Sequence, residues 1–132
     1  MKAAFFIGRM LFGGFFLQNG INHLKQHENL AQYAGSKGIP NPDEAVLASG
    51  VLLTLGGASI ILGLKPKLGA ASLIGFLAIA SATMHDFWNS TEPGDKQSNL
   101  IHFSKNVALL GAALALAGTR EPWPVSFGKH RD

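Results

Sequence analysis

The chain has 132 residues, one domain's worth, of which 47% are hydrophobic and only 14% charged. Soluble domains carry about 25% charged residues, so the composition points to a lipid rather than an aqueous setting. A sequence without cysteine excludes disulfides, thiol chemistry and Cys-ligated zinc or iron–sulfur centres, and a net charge of +3 that is not clustered with aromatics gives no nucleic-acid face.

The first apolar stretch covers residues 3–21 and opens AAFFIGRMLFGGFFLQNG. Lys2 followed by an apolar run begins like a secretory signal. Arg9 interrupts that run and no small-x-small cleavage site follows, so a retained membrane helix fits better. Residues 22–40 are polar and mixed. Leu24, His27, Leu30, Ala31 and Ala34 recur there at helical spacing, which predicts a short amphipathic helix in the membrane interface, ended by Gly35 and Gly38.

The second stretch covers 45–64. Asn41 is placed to cap it, Pro42 takes the first helical position, and Asp43 and Glu44 fill the first turn. Its 20 residues carry no charge, and at 1.5 Å per residue they match a hydrocarbon core of about 30 Å. Lys65-Pro66-Lys67 is a tight connection, so the third stretch, 68–88, is its antiparallel neighbour. Pro93-Gly94 predicts a turn within the hairpin Asn89–Ser98. The fourth stretch follows over 100–118, with Lys105 near its start. The tail, 119–132, is too short for a domain, and Trp123 in it reads as an interfacial anchor. Small residues stripe the last three stretches and allow close helix packing: Gly50, Gly56, Gly57 and Ala58 in the second, Ala71, Gly75, Ala78 and Ala82 in the third, and Gly111 with Ala115 and Ala108 with Ala112 in the fourth.

Lysine and arginine fall unevenly between the two sides of such a bundle. One side has Lys2, Lys65, Lys67, Arg120, Lys129 and Arg131; the other has Lys25, Lys37 and Lys96. The positive-inside rule then places both termini in the cytoplasm and the hairpin outside.

That topology gathers His23, His27, His85, Asp86, Trp88, His102, Lys105 and Asn106 at the outer end. Ionisable groups in membrane segments are costly and mark functional sites. His102 and Asn106 share a helix face, and His85 lies at a matching depth in the third stretch. Three chemistries compete. His85 and His102, with His23 or Asp86, are weak candidates for a metal, since imidazole suits Zn, Cu and Fe; bis-His haem ligation ranks lower. A quinone-like head needs donors such as His85, His102 or Lys105, aromatic walls such as Phe87, Trp88 and Phe103, and a proton carrier near neutral pKa. In the third reading these groups only pair among themselves, Asp86 with Lys105 for instance, and pin helices together. Arg9, two turns into the first stretch, either snorkels to the headgroups or turns inward to a polar partner such as a backbone carbonyl or an anionic ligand.

With these residues laid out, the chain resembles the DoxX family of small four-helix membrane proteins over essentially its whole length. The resemblance runs through Arg9 in IGRMLFGGFF, Gly20, the loop Gly38-Ile39-Pro40-Asn41-Pro42 and the Gly-rich LTLGGASIILGLKPKLGA. Its most specific part is His85-Asp86-Phe87-Trp88, Gln97, and then His102-Phe103-Ser104-Lys105-Asn106, which looks like the branch with HxFW-type and FxKN-type elements. Many members have Lys-Leu where this chain has His23-Leu24. The resemblance implies a link to quinol oxidase or thiosulfate:quinone oxidoreductase systems, to oxidative-stress complexes, or to membrane assembly factors; it assigns no catalytic residue.

The expectation is an all-α, four-helix transmembrane bundle forming a single domain over 1–132, multi-pass in a bacterial inner membrane. Its expected role is an accessory subunit of a quinone-linked redox system, with Arg9, His85, Asp86, Trp88, His102, Lys105 and Asn106 as ligand-pocket candidates. The alternative is an assembly or scaffold protein whose polar cluster is structural, and a small-solute permease ranks last. Expected partners are the bilayer, a membrane or periplasmic oxidoreductase and a second copy of the chain, with no nucleic acid. Whether the chain is itself an enzyme is open.

Overall fold

The computed structural model describes residues 1–127. Residues 128–132, including the Lys129 and Arg131 of the charge count, lie outside the described residues. Five α-helices follow in order: α1 (Lys2–Lys25), α2 (His27–Ser36), α3 (Pro42–Leu62), α4 (Pro66–Met84) and α5 (Pro93–Gly118), with a 3₁₀ turn at Phe87–Asn89 before α5. No strand occurs among the described residues.

Proline starts three of these helices: Pro42, Pro66 and Pro93 each stand in the first turn. Proline's fixed φ suits that turn, and its missing N–H has no partner to lose there. This overturns the expected turn at Pro93-Gly94. Pro93 opens α5 instead, with Asp95 in the first turn, so the helix begins well before residue 100. The third stretch is also shorter than expected: α4 ends at Met84, and His85 and Asp86 leave the helix before the 3₁₀ turn. Asn41 occupies the cap position of α3 but with a left-handed backbone (φ 46°) and no capping hydrogen bond from its side chain. The first helix passes through Gly20 to Lys25, and the amphipathic segment is α2 alone.

α1 packs on α3, α3 on α4, and α4 on α5, while α2 lies across α3. The closest approach is between α1 and α3, where glycines meet backbone. A Cβ at Gly57 would stand 2.6 Å from the Leu17 nitrogen and 2.7 Å from the Gly13 oxygen. One at Gly20 would stand 2.5 Å from the Thr54 nitrogen and 2.9 Å from the Gly50 oxygen. Such approach is what small residues permit between membrane helices. The stripes expected to do this on α4 and α5 do not: nothing lies within 4 Å of a Cβ built at Gly75 or Gly111.

Phe16, Leu53, Ile60, Ala70, Leu73, Leu77 and Trp123 form the main core. A smaller cluster of Ala31, Ala34 and Val46 seats α2 on α3. Trp123 is 1% exposed and meets Phe5 edge-on, centroids 5.2 Å apart. It is therefore not an interfacial anchor. The tail turns back, and Phe127 donates its N–H to the Leu62 carbonyl at 2.9 Å. The start of α1, the α3–α4 connection and the tail thus meet at one end of the molecule.

Among the described residues three helical segments are long and apolar enough to cross a membrane: α3, α4 with the turn after it, and α5. α1 is not among them, because Arg9, Gln18, Asn19 and Asn22 dilute its apolar residues.

Candidate functional site

A half-open cavity of about 760 Å³ is lined by residues of all five helices. Most of its wall is apolar: Phe15 and Phe16 from α1, Leu52 and Leu53 from α3, Phe76, Leu77 and Ile79 from α4. Gly75 also lines it, which explains why a Cβ there meets nothing. Polar groups enter at a few points: Asn19 and His23 of α1, Ser49 of α3, Ser72 and Thr83 of α4, His85, and Lys105 and Asn106 of α5. Large, mostly apolar cavities with a few convergent polar groups are the usual form of small-molecule sites.

The backbone explains why these side chains converge. His23 is on the last turn of α1, which the glycine contacts press onto α3. Its Nδ1 lies 2.9 Å from the Ser49 hydroxyl. That hydroxyl donates its one hydrogen to the Val46 carbonyl at 2.8 Å, so it accepts from His23 Nδ1–H. In the neutral ring Nε2 is then left as an acceptor. The ring lies 6.0 Å from that of Phe76, which brings α1 and α4 together across the cavity. On α5, Asn106 is buried, and the Lys105 ammonium lies over the Phe15 ring of α1 at 5.8 Å.

His85 stacks on His102, with centroids 4.9 Å apart and planes at 25°, as their matching depth predicts. Of the two only His85 lines the cavity, and its buried Nδ1 has no hydrogen-bond partner among the described residues. Three aromatic rings, Phe87, Trp88 and Phe103, pack edge-on to one another at 5.2–5.6 Å. They brace the 3₁₀ turn against α5 and do not wall the cavity, and Trp88 is half-exposed.

Asp86 is used elsewhere. It takes a hydrogen bond from the Lys37 ammonium at 3.0 Å and another from Asn89 at 3.1 Å. The pair with Lys105 expected from sequence is replaced by this one, because the loop after α2 reaches the end of α4 first. The Asp86 carboxylate holds the Lys37 ammonium above the usual lysine range. Beside it Tyr33 donates to the Met84 carbonyl at 3.3 Å, and His27 meets Asp43 at 2.9 Å. Together these tie α2 across the ends of α3 and α4. Arg9 is fully buried at the other end and turned inward, donating to the Val125 carbonyl; it does not snorkel.

The structure thus gathers His23, His85, Lys105 and Asn106 around one cavity. Asp86, Trp88 and His102 stand next to it, and Arg9 stands apart. Ser49 and Asn19 were not singled out from sequence, since single polar residues in apolar helices carry no spacing signal. Among the described residues no group of three or more His, Asp or Glu side chains is placed to hold a metal ion.

The DoxX family model matches residues 4–86, more than half of the chain. No curated protein and no solved structure matches it.

Proposed function

The chain belongs to the DoxX family of membrane proteins, and from that premise we propose that its cavity holds a quinone-like or similar flat, amphiphilic ligand as part of a membrane redox system. In this reading it is an accessory subunit of a membrane or periplasmic oxidoreductase in a bacterial inner membrane. In this reading α1 also crosses the bilayer beside α3, α4 and α5, since its Arg9 is buried against the tail and not offered to lipid, with both termini in the cytoplasm and the cavity's polar end outside. The observation that carries the reading is the cavity itself: a mainly apolar space of about 760 Å³ with His85 among its lining residues.

A ring with two oxygen atoms fits this donor set. Lys105 and Asn106 are donors to a carbonyl, and Nε2 of His23 accepts from a hydroxyl. His85 can donate or accept as its tautomer requires, and so can carry the proton that accompanies reduction of such a ring.

The test is direct. Protein purified in mild detergent should release a quinone-class lipid on solvent extraction. Gly75→Leu, which projects a side chain into the cavity, should reduce that yield at least about tenfold. His85→Gln should weaken rebinding about fivefold, the worth of one hydrogen bond of about 1 kcal/mol. If the Gly75→Leu protein is folded and carries as much lipid as wild type, the cavity is not the site.

A second reading is favoured by the Lys37–Asp86, Tyr33–Met84 and His27–Asp43 contacts, which consume polar groups in fastening α2. It makes the chain an assembly or scaffold protein. It expects no extractable ligand and a stable protein partner on purification.

A further inference from the structure

We propose that a second site, built around Arg9 at the far end of α1, binds the oxyanion of a phosphate group. It is separate from the cavity. Arg9 and His23 are fourteen residues apart, about 21 Å at 1.5 Å per residue.

Arg9 is 1% exposed. One of its terminal nitrogens, Nη2, donates to the Val125 carbonyl, while Nε and Nη1 are buried with no hydrogen-bond partner among the described residues. The guanidinium lies 5.3 Å from the Phe6 ring and 5.7 Å from the Trp123 ring, so it is held between aromatic walls. Two further buried polar atoms without partners accompany it: Nε1 of Trp123 and Oγ of Ser126. Gly63 binds the group together, since a Cβ there would stand 3.3 Å from Arg9 Nη1 and in contact with Ser126. With φ at 66° as well, this position suits glycine on both counts.

The chemistry of this set is one-sided. Nε and Nη1 of a guanidinium carry three N–H groups, the indole adds a fourth donor, and a hydroxyl can add a fifth. Among the described residues no carboxylate pairs with Arg9. A buried cation without a counter-charge is strongly disfavoured, and so are buried donors without acceptors. One group cures both faults: an oxyanion, whose several oxygens accept from several donors and whose charge neutralises the arginine. Lys65, Lys67 and Arg120 flank the same connections in sequence, which adds long-range attraction for an anion.

The oxyanion can be a lipid headgroup phosphate or free phosphate, and the experiment separates them. Detergent-purified protein is titrated with inorganic phosphate, with phosphatidylglycerol and with diacylglycerol, which has the chains and no phosphate. Melting temperature and native mass spectrometry report binding.

Stabilisation by phosphatidylglycerol alone identifies a lipid headgroup site; stabilisation by inorganic phosphate as well identifies a site for the free anion. In either case Ser126→Ala and Trp123→Phe, which each remove one donor, should weaken binding about tenfold, as expected for a hydrogen bond to a charged group. Arg9→Gln should abolish it. The proposal is overturned if neither phosphate ligand acts on wild type beyond the diacylglycerol control, or if Ser126→Ala and Trp123→Phe bind like wild type. Neither result bears on extraction of a ligand from the cavity.

Discussion

Gly57→Ala should destabilise the protein by about 2 kcal/mol, although alanine is the better helix former. The added methyl would stand 2.6–2.7 Å from backbone atoms of Leu17 and Gly13, and backbone cannot rotate away as a side chain can. Overpacking of this kind costs about 1–3 kcal/mol, and contact with backbone puts it at the top of that range. The gain in helix propensity returns about 1 kcal/mol. Gly111→Ala makes the same chemical change where nothing lies within 4 Å, so it should be neutral or stabilising by up to about 1 kcal/mol. Equilibrium unfolding in mixed micelles, followed by circular dichroism, measures both. Equal values for the two variants would mean that α1 and α3 do not approach as described.

Trp123→Ala should cost about 3–5 kcal/mol, the range for truncating a fully buried aromatic, and should lower the melting temperature by roughly 10 °C or more. The tryptophan sits in the main core against Phe5 and beneath the Arg9 guanidinium, so three parts of the chain lose a shared contact together. A tryptophan anchored at the membrane surface would give a much smaller loss, within about 1 kcal/mol. A change that small would return Trp123 to the interface and release the tail from the bundle.

Much of the architecture was legible because lipid imposes a simple rule. A charge-free run of 20 residues behind Asn41-Pro42-Asp43-Glu44 can be little else than a long apolar helix, and α3 is one. The pairing of His85 with His102 was also readable, since both sit at equal depth in neighbouring antiparallel segments.

What misled was local chemistry with two uses. Pro93-Gly94 serves a turn as readily as a helix start, and only the pairing of α5 with α4 selects the second. Asp86 had two lysines within reach, and the choice depended on where the loop after α2 folds, which no periodicity encodes. Trp123 is amphipathic, so its sequence setting alone could not separate an interface from a core. Small residues recur on every helix, and composition alone does not reveal that the tight contact is between α1 and α3. The cavity is the least legible feature of all, for it is made by side chains that stop short.

The arrangement of the long helices has a further outcome. α1 is seated chiefly on α3 and α5 chiefly on α4, and between α1 and α5 the Lys105 ammonium lies over the Phe15 ring at the cavity's edge. If α1 and α5 both cross the bilayer as proposed, that edge of the cavity faces acyl chains. A guest arriving by it is drawn from what is dissolved in the bilayer, and its occupancy follows its partition coefficient. A head group stripped of its greasy tail would then be a poor guest, however well its oxygens matched the histidines.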